Sequence, residues 1–152
     1  MKERGFEVVK GYENQDIHLP IRKTKYSAGY DIEAAKEVVI PPYQFGMKPT
    51  LIPTGLKAYC KEDEFYILVN RSSGPKKGLV MANSVGVIDA DYYENETNDG
   101  HFYFQYYNFL DHEIVIHKGD AIGQVIFLNY LKVDHDICGG KRTGGFGTTD
   151  TI

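Results

Sequence analysis

The segment Asn83–Tyr92 carries the side chains best suited to moving a proton. In it the apolar pair Val87-Ile88 leads directly into two acids, Asp89 and Asp91. A carboxylate rooted in a rigid strand can act as a general base when it reaches a water molecule within hydrogen-bond distance. The Asn83 amide offers both donors and acceptors, which matches the edge of a pyrimidine base such as uracil. The alternative is that the two acids only solvate a turn.

The segment Gly139–Gly147 combines glycines with one arginine and one aromatic residue. Five of its nine residues are glycine, and glycines allow backbone amides to approach phosphate oxygens closely. Arg142 can add a bidentate clamp, and Thr148-Thr149 follow with hydroxyl donors. Phe146 could stack on a nucleobase, a contact worth about 1–3 kcal/mol. We predict a mobile C-terminal arm that binds phosphate, the alternative being a disordered tail.

Two further segments pair turn residues with charged groups. Arg71-Ser72-Ser73 follows the apolar run Phe65–Val69, and a guanidinium beside hydroxyls at a strand end suits phosphate binding. An ordinary polar turn would give the same pattern. Asp31 comes directly after Gly29-Tyr30, which is also compatible with the start of a strand.

The elements that must position these groups are short strands. The runs that are aromatic or β-branched and too short for ordinary helices are Phe65–Val69, His101–Tyr107, Ile114–Ile116 and Val125–Leu128. Turn signals such as Pro41-Pro42 and Lys118-Gly119-Asp120 separate the strands. The pattern predicts an all-β sandwich or barrel over residues 1–138, followed by the flexible arm at 139–152.

Composition favours one ordinary globular domain. The 152 residues carry a net charge of −4, which gives no basic footprint for nucleic acid or for an anionic membrane. Cys60 and Cys138 match neither a zinc site nor a redox pair. The first residues lack the apolar run of a signal peptide, and we expect a cytoplasmic protein.

Five segments taken in order closely resemble the motifs of the trimeric dUTPase family. They are AGYD at Ala28–Asp31, RSS at Arg71–Ser73, GVIDADY at Gly86–Tyr92, GDAIGQ at Gly119–Gln124 and RTGGFGTT at Arg142–Thr149. The resemblance spans nearly the whole chain, and its order and spacing are specific.

The resemblance implies a jelly-roll-like all-β homotrimer with three active sites at the subunit interfaces. Its activity would be Mg²⁺-dependent hydrolysis of dUTP to dUMP and pyrophosphate. That reaction limits uracil in DNA and supplies dUMP for dTMP synthesis. Asp31 would orient water around an Mg²⁺ ion that is held mainly by the triphosphate oxygens, in keeping with the preference of this ion for phosphate and water.

By the same resemblance, Asp89 is the general base that activates water for attack on the α-phosphorus. Tyr92 packs against the deoxyribose and excludes a ribose 2′-hydroxyl. Asn83 reads uracil together with main-chain groups around Val87-Ile88 and Tyr103, which are expected in one hairpin.

The phosphate contacts are assigned in the same way. Arg71, Ser72 and Ser73 would reach the phosphates from a neighbouring subunit, assisted by Gln124. Arg142 and Thr148-Thr149 would close over the γ-phosphate, while Phe146 stacks on uracil.

The chain departs from the family pattern at two places. Tyr93–Gly100, here called the insertion, separates Tyr92 from His101, where the family usually continues at once with Gly-Glu. We expect the insertion to be an exposed loop that leaves the chemistry intact. The Arg71 turn is preceded by Asn70 where proline is usual, and Ser73 stands in place of glycine.

Other functions stay open at this point. A dCTP deaminase, or an enzyme that combines both activities, shares the fold and an RSS-like turn. A regulatory binding protein of dUTPase fold is a second possibility, and the insertion could then contact a partner protein. The five histidines show no metal-ligand spacing and are expected on the surface or in strands.

Overall fold

The computed structural model describes residues 1–145, and nearly all of its regular secondary structure is β-strand, so the predicted all-β fold is confirmed. Its eleven strands are β1 (Gly5–Val8), β2 (Tyr30–Glu33), β3 (Val38–Ile40), β4 (Thr50–Pro53), β5 (Leu56–Tyr59), β6 (Glu64–Val69), β7 (Leu79–Met81), β8 (Gly86–Asp89), β9 (Tyr103–Asn108), β10 (Ile114–Ile116) and β11 (Ala121–Asn129). Two short 3-10 helices lie at Pro75–Lys77 and Ala90–Tyr92.

The strands form four antiparallel groups. The largest has the order β2-β11-β6-β8, a second has β4-β9-β7, and the pairs β1-β5 and β10-β3 complete the fold. In the described residues, no ladder joins two strands that follow each other in sequence. The last strand, β11, lies inside the largest sheet and is hydrogen-bonded to β2 on one side and to β6 on the other.

The strands predicted from short apolar runs are confirmed. Phe65–Val69 lies within β6, Ile114–Ile116 is β10, and Val125–Leu128 lies within β11. The aromatic run is β9, which starts two residues later than predicted, at Tyr103. Burial alternates along β6 and β9, so that one face of each strand packs into a core rich in aromatic residues.

The insertion is not simply an exposed loop, and that prediction was wrong in part. Asn95 and Gly100 are buried, and the ammonium of Lys57 on β5, only 6% exposed, anchors the two ends of the loop. Its Nζ donates to Glu94 Oε2 at 2.7 Å and to Asp99 Oδ2 at 3.0 Å. A buried ammonium requires such partners, because an unpaired charge would be costly to desolvate.

His101 was expected on the surface or in a strand, and the structure contradicts this. It is 4% exposed and precedes β9. Its Nε2 accepts hydrogen bonds from the backbone amides of Thr54 at 3.2 Å and Gly55 at 2.8 Å. Both bonds require an unprotonated Nε2, and burial lowers the pKa of this imidazole to about 4.

We expect the stability of the protein to fall as the pH decreases below 6.5. The pKa of His101 is about 4 in the folded state against 6.5 for an unperturbed histidine, so only the unfolded state binds this proton within that window. Between pH 6.5 and 5 the free energy of unfolding should drop by about 2 kcal/mol on this account.

Denaturant unfolding of the wild type and of His101→Asn at both pH values measures the difference. His135→Asn, at an exposed histidine, is the matched control and should keep the wild-type loss. A wild type that loses no more stability than His101→Asn would contradict the assignment.

No helix among residues 1–145 is long and apolar enough to cross a membrane.

Candidate active site

A cleft of about 320 Å³ opens between β8 and the first residues of the C-terminal arm. We call it the β8 cleft. It is lined by Asn83, Gly86, Val87, Ile88, Asp89, Tyr92, Gln105, Arg142 and Gly145. Six of these residues were predicted to bind substrate or to act on it, and the structure brings them together.

The alternation of β8 decides which side chains face this cleft. Val87 and Asp89 are exposed, whereas Ile88 is 6% exposed and belongs to the hydrophobic core. Any contact of Ile88 with a ligand must therefore come from its main chain. The Asp89 carboxylate stands at the end of the strand, with its Cα opposite Phe65 of β6.

Tyr92 is a buried wall of the cleft. Its hydroxyl donates to the carbonyl of His101 at 2.5 Å and accepts from Asn98 Nδ2 at 2.7 Å. Burial raises its pKa to about 12, so the phenol is neutral near pH 7. A Cβ atom added at Gly145 would overlap the Tyr92 ring, so the arm can pass this close only as glycine.

Arg142 joins the arm to the two acids of the cleft. Its Nη2 donates to Asp89 Oδ2 at 2.6 Å and its Nε to Asp91 Oδ1 at 2.7 Å. A third donor, Nη1, bonds the carbonyl of Gly144 at 3.0 Å. The guanidinium therefore ties the arm to Asp89 and Asp91, and its positive charge is offset by the two carboxylates.

Tyr103 was expected in one hairpin with Val87, and this expectation was wrong. Val87 lies on β8, which among residues 1–145 pairs with β6 alone, whereas Tyr103 lies on β9, in a different sheet. The ring of Tyr103 instead packs against the ring of His101, with 4.1 Å between the two ring centroids. Gln105, two residues further along β9, lines the cleft and was missed. Its signal was a single amide in an otherwise aromatic run.

A second depression, the Arg71 groove, gathers the other predicted phosphate contacts. Its lining residues are Lys23, Ser27, Gly29, Asp31, Arg71, Ser72 and Gln124. The Cα of Gln124 on β11 is paired with those of Asp31 and Val69, which brings the three segments side by side. Ser73 does not line this groove. Lys23 was missed, since it lies outside the motifs.

Charge in the Arg71 groove is arranged around one acid. Arg71 Nε lies 3.6 Å from Asp31 Oδ1, and Lys23 Nζ lies 3.8 Å from Asp31 Oδ2. Two cations against one carboxylate leave a net positive charge at the groove. A phosphate group would be attracted to such a surface.

The β8 cleft and the Arg71 groove lie at opposite ends of β6. Asp89 faces Phe65 near the start of the strand, and Arg71 follows Val69 at its end. The four steps from Phe65 to Val69 span about 13 Å at about 3.3 Å per residue. No residue of the described part of the chain lines both sites.

The sequence model of the dUTPase family matches residues 15–148. A deoxyuridine 5'-triphosphate nucleotidohydrolase of Lactococcus lactis is 53% identical over 98% of this chain and 99% of its own length. The chain belongs to the dUTPase family.

Solved dUTPase structures agree with the fold. The crystal structure of dUTPase from Streptococcus mutans, 41% identical, superposes with a TM-score of 0.79 over 86% of this chain and 98% of that one. A Staphylococcus bacteriophage 80alpha dUTPase, 18% identical, gives 0.69 over 100% of this chain and 97% of its own, which extends the likeness in fold alone.

Three residues with predicted roles in the dUTPase arm, Phe146, Thr148 and Thr149, lie outside the described residues. Within residues 1–145 no group of three or more His, Cys, Asp or Glu side chains could hold a metal ion. Asp31 presents a single carboxylate between Lys23 and Arg71. This donor set suits an ion that brings most of its ligands as phosphate oxygens and water.

Proposed function

We propose that this chain hydrolyses dUTP to dUMP and pyrophosphate. The observation that carries the proposal is the β8 cleft, where Asn83, Asp89, Tyr92 and Arg142 meet around one cavity. The likeness to a nucleotidohydrolase of this specificity over nearly the full length of both chains supports it.

The hydrolysis needs a water molecule that attacks the α-phosphorus and a general base that takes the proton of this water. A water oxygen forms a bond to the α-phosphorus, and the water's proton passes to a carboxylate oxygen of Asp89. The bond between the α-phosphorus and the bridging oxygen breaks, and that oxygen leaves with the pyrophosphate. Asp89 suits this role because its side chain is 55% exposed to the cleft and fixed at the end of a strand.

The nucleoside is proposed to lie in the β8 cleft. The Asn83 amide can pair with the alternating donors and acceptors of the uracil edge, and Gln105 offers a second amide at the same cavity. The ring of Tyr92 is proposed to pack against the deoxyribose and to exclude a ribose 2′-hydroxyl. Main-chain groups of Val87-Ile88 complete the base contacts.

The protein is proposed to be a homotrimer, and the separation of the two sites supports an active site shared between subunits. The triphosphate is proposed to lie against Arg71, Ser72 and Gln124, yet these residues stand at the far end of β6 from Asp89. One nucleotide can contact both sets when the Arg71 groove of one subunit faces the β8 cleft of its neighbour. A closed ring of subunits satisfies this arrangement. Ser73, outside the groove lining, is proposed to assist from the same turn.

The metal is proposed to be Mg²⁺, with Asp31 holding one of its waters. When bound, the ion neutralises charge on the triphosphate and on the departing pyrophosphate. The protein's own part is to present the Asp31 carboxylate and the Arg71 guanidinium side by side, 3.6 Å apart.

The division of the chain into a β-domain at 1–138 and an arm at 139–152 belongs to the same proposal. Regular strands end at Asn129 in the described part. Arg142 is proposed to move from Asp89 to the γ-phosphate, where Thr148-Thr149 join it, and Phe146 covers the uracil.

A nucleotide panel tests the proposal. The protein is incubated with dUTP, UTP, dTTP or dCTP, each with and without Mg²⁺, and pyrophosphate and ammonia are measured. We expect pyrophosphate from dUTP with Mg²⁺, with the other nucleotides at least about 100-fold slower. Ammonia from dCTP would instead indicate a deaminase, and pyrophosphate from all four would contradict the proposed specificity.

A further inference from the structure

The insertion bonds Tyr92 at both of its ends. The main-chain carbonyl of Tyr92 accepts from Nδ2 of the buried Asn95 side chain at 2.7 Å. The Tyr92 hydroxyl accepts from Asn98 Nδ2 at 2.7 Å and donates at 2.5 Å to the carbonyl of His101, the residue that follows the insertion. A ring that is held both at its backbone and at its hydroxyl cannot tilt without breaking one of these bonds.

The orientation of the Asn98 side-chain amide is set by its other partners. Its Oδ1 accepts from the backbone amide of Gly100 at 3.1 Å and from Asn95 Nδ2 at 2.8 Å. Because a backbone amide can only donate, the atom of Asn98 that faces Tyr92 must be Nδ2, which also can only donate. The Tyr92 hydroxyl therefore accepts from Asn98 and keeps its own proton for the carbonyl of His101.

The backbone of the insertion is held in an unfavourable conformation. Glu94 and Asp99 have φ angles of 53° and 62°, in the left-handed region that favours glycine. The carboxylates of these same two residues accept from the buried ammonium of Lys57. Such strain persists only where the surrounding structure enforces it, and it is concentrated at functional sites. The conformation that Lys57 enforces is the one that presents Asn95 and Asn98 to Tyr92.

A fixed Tyr92 ring matters because deoxyribose and ribose differ by one oxygen atom. Tyr92 lines the β8 cleft, where the sugar is proposed to lie. The wall of a pocket rejects a ligand that only adds a hydroxyl by about 100-fold. A wall that can move aside rejects it less, so the bonds that hold the ring bear directly on selectivity.

We propose that the insertion is a clamp on Tyr92, with Asn98 as the positioning residue that keeps the ring where it excludes a ribonucleotide. The inference rests on the proposed function for the placement of the sugar against Tyr92. It assigns a role in substrate selectivity to the segment by which this chain departs from the common family pattern.

Asn98→Ser tests the clamp. A serine hydroxyl can still accept from the Gly100 amide two residues further on, but it is too short to reach the Tyr92 hydroxyl. We expect the ratio of kcat/KM for dUTP to kcat/KM for UTP, both with Mg²⁺, to fall about 2- to 10-fold, the range for the loss of one hydrogen bond. A purely structural role would lower both values alike and leave this ratio unchanged.

A double-mutant cycle shows whether Asn98 acts through the Tyr92 hydroxyl. Tyr92→Phe removes the hydroxyl at nearly constant shape and should lower the ratio by about 2- to 10-fold or more. Adding Asn98→Ser to Tyr92→Phe should then change the ratio by less than about 2-fold, because the bond is already absent.

Glu94→Gln is the matched control within the insertion. It weakens the Lys57 anchor without removing a bond to Tyr92, so it should keep the wild-type ratio even if its melting temperature falls. An unchanged ratio in Asn98→Ser or in Tyr92→Phe would overturn the positioning role. Losses that multiply in the double variant, or a ratio in Glu94→Gln as low as that in Asn98→Ser, would overturn it as well.

Binding without turnover separates this inference from the proposed hydrolysis. The dissociation constants of dUMP and UMP, measured by calorimetry, give the sugar preference directly and should shift by the same factors in the same variants. If the wild type does not hydrolyse dUTP but prefers dUMP to UMP, the proposed function fails and the binding ratios decide on the clamp. A wild type with no preference for dUMP over UMP would overturn the clamp even if it hydrolyses dUTP.

Discussion

Asp89→Asn is expected to lower kcat for dUTP by about 10²- to 10⁴-fold with little change in nucleotide binding. The substitution keeps the shape of the side chain and its ability to accept a hydrogen bond from Arg142, but an amide cannot take a proton from water. Steady-state rates together with the dissociation constant of a non-hydrolysable dUTP analogue separate the two effects.

Asp91→Asn is the matched control for this prediction. Arg142 bonds both carboxylates at nearly equal distances, 2.6 and 2.7 Å, and both side chains are exposed. If the acids act only by holding the arm, the two variants should lose activity equally. We expect Asp91→Asn to lose less than about 10-fold. Equal losses, or near-normal turnover in Asp89→Asn, would refute Asp89 as the base.

Mixing two inactive variants should restore activity if the Arg71 groove and the β8 cleft of one active site come from different subunits. Arg71→Ala and Asp89→Asn each damage every site of their own trimer. In randomly mixed trimers, about one site in four combines an intact groove with an intact cleft. Co-refolded equal amounts should therefore reach about a quarter of the wild-type rate.

The control mixture pairs Asp89→Asn with Asn83→Ala. Both residues line the same cleft of one subunit, so no mixed trimer contains an undamaged cleft. This mixture should show no more than the average of its two components. Restoration here, or none in the Arg71 mixture, would mean that the sites are not divided between subunits as proposed.

Many strands were predictable because a short strand has a recognisable local sequence pattern. The runs at Phe65–Val69 and Ile114–Ile116 are apolar, β-branched or aromatic, and bounded by turns, and both are strands in the structure. The order of strands was not predictable, since every ladder depends on distant segments. The expected hairpin of Val87 with Tyr103 failed for this reason.

The site shows the same division between local and distant signals. Asp89, Asn83 and Tyr92 were found from one contiguous segment, and the structure places them in one cleft. Gln105 and Lys23 were missed because only the fold brings them near. The position of His101 was predicted wrongly because its hydrogen-bond donors, the backbone amides of Thr54 and Gly55, are far away in sequence.

The inner position of β11 has a consequence for synthesis of the protein. The strand that bridges β2 and β6 ends at Asn129, so the largest sheet lacks its middle until most of the chain has left the ribosome. No two consecutive strands in the described part pair with each other, so no ladder of the fold is a simple hairpin. Folding that depends on such distant pairings is slow, on the order of milliseconds to seconds. Nascent chains stalled before residue 121 should therefore stay protease-sensitive and expose unpaired strand edges, which makes them dependent on chaperones.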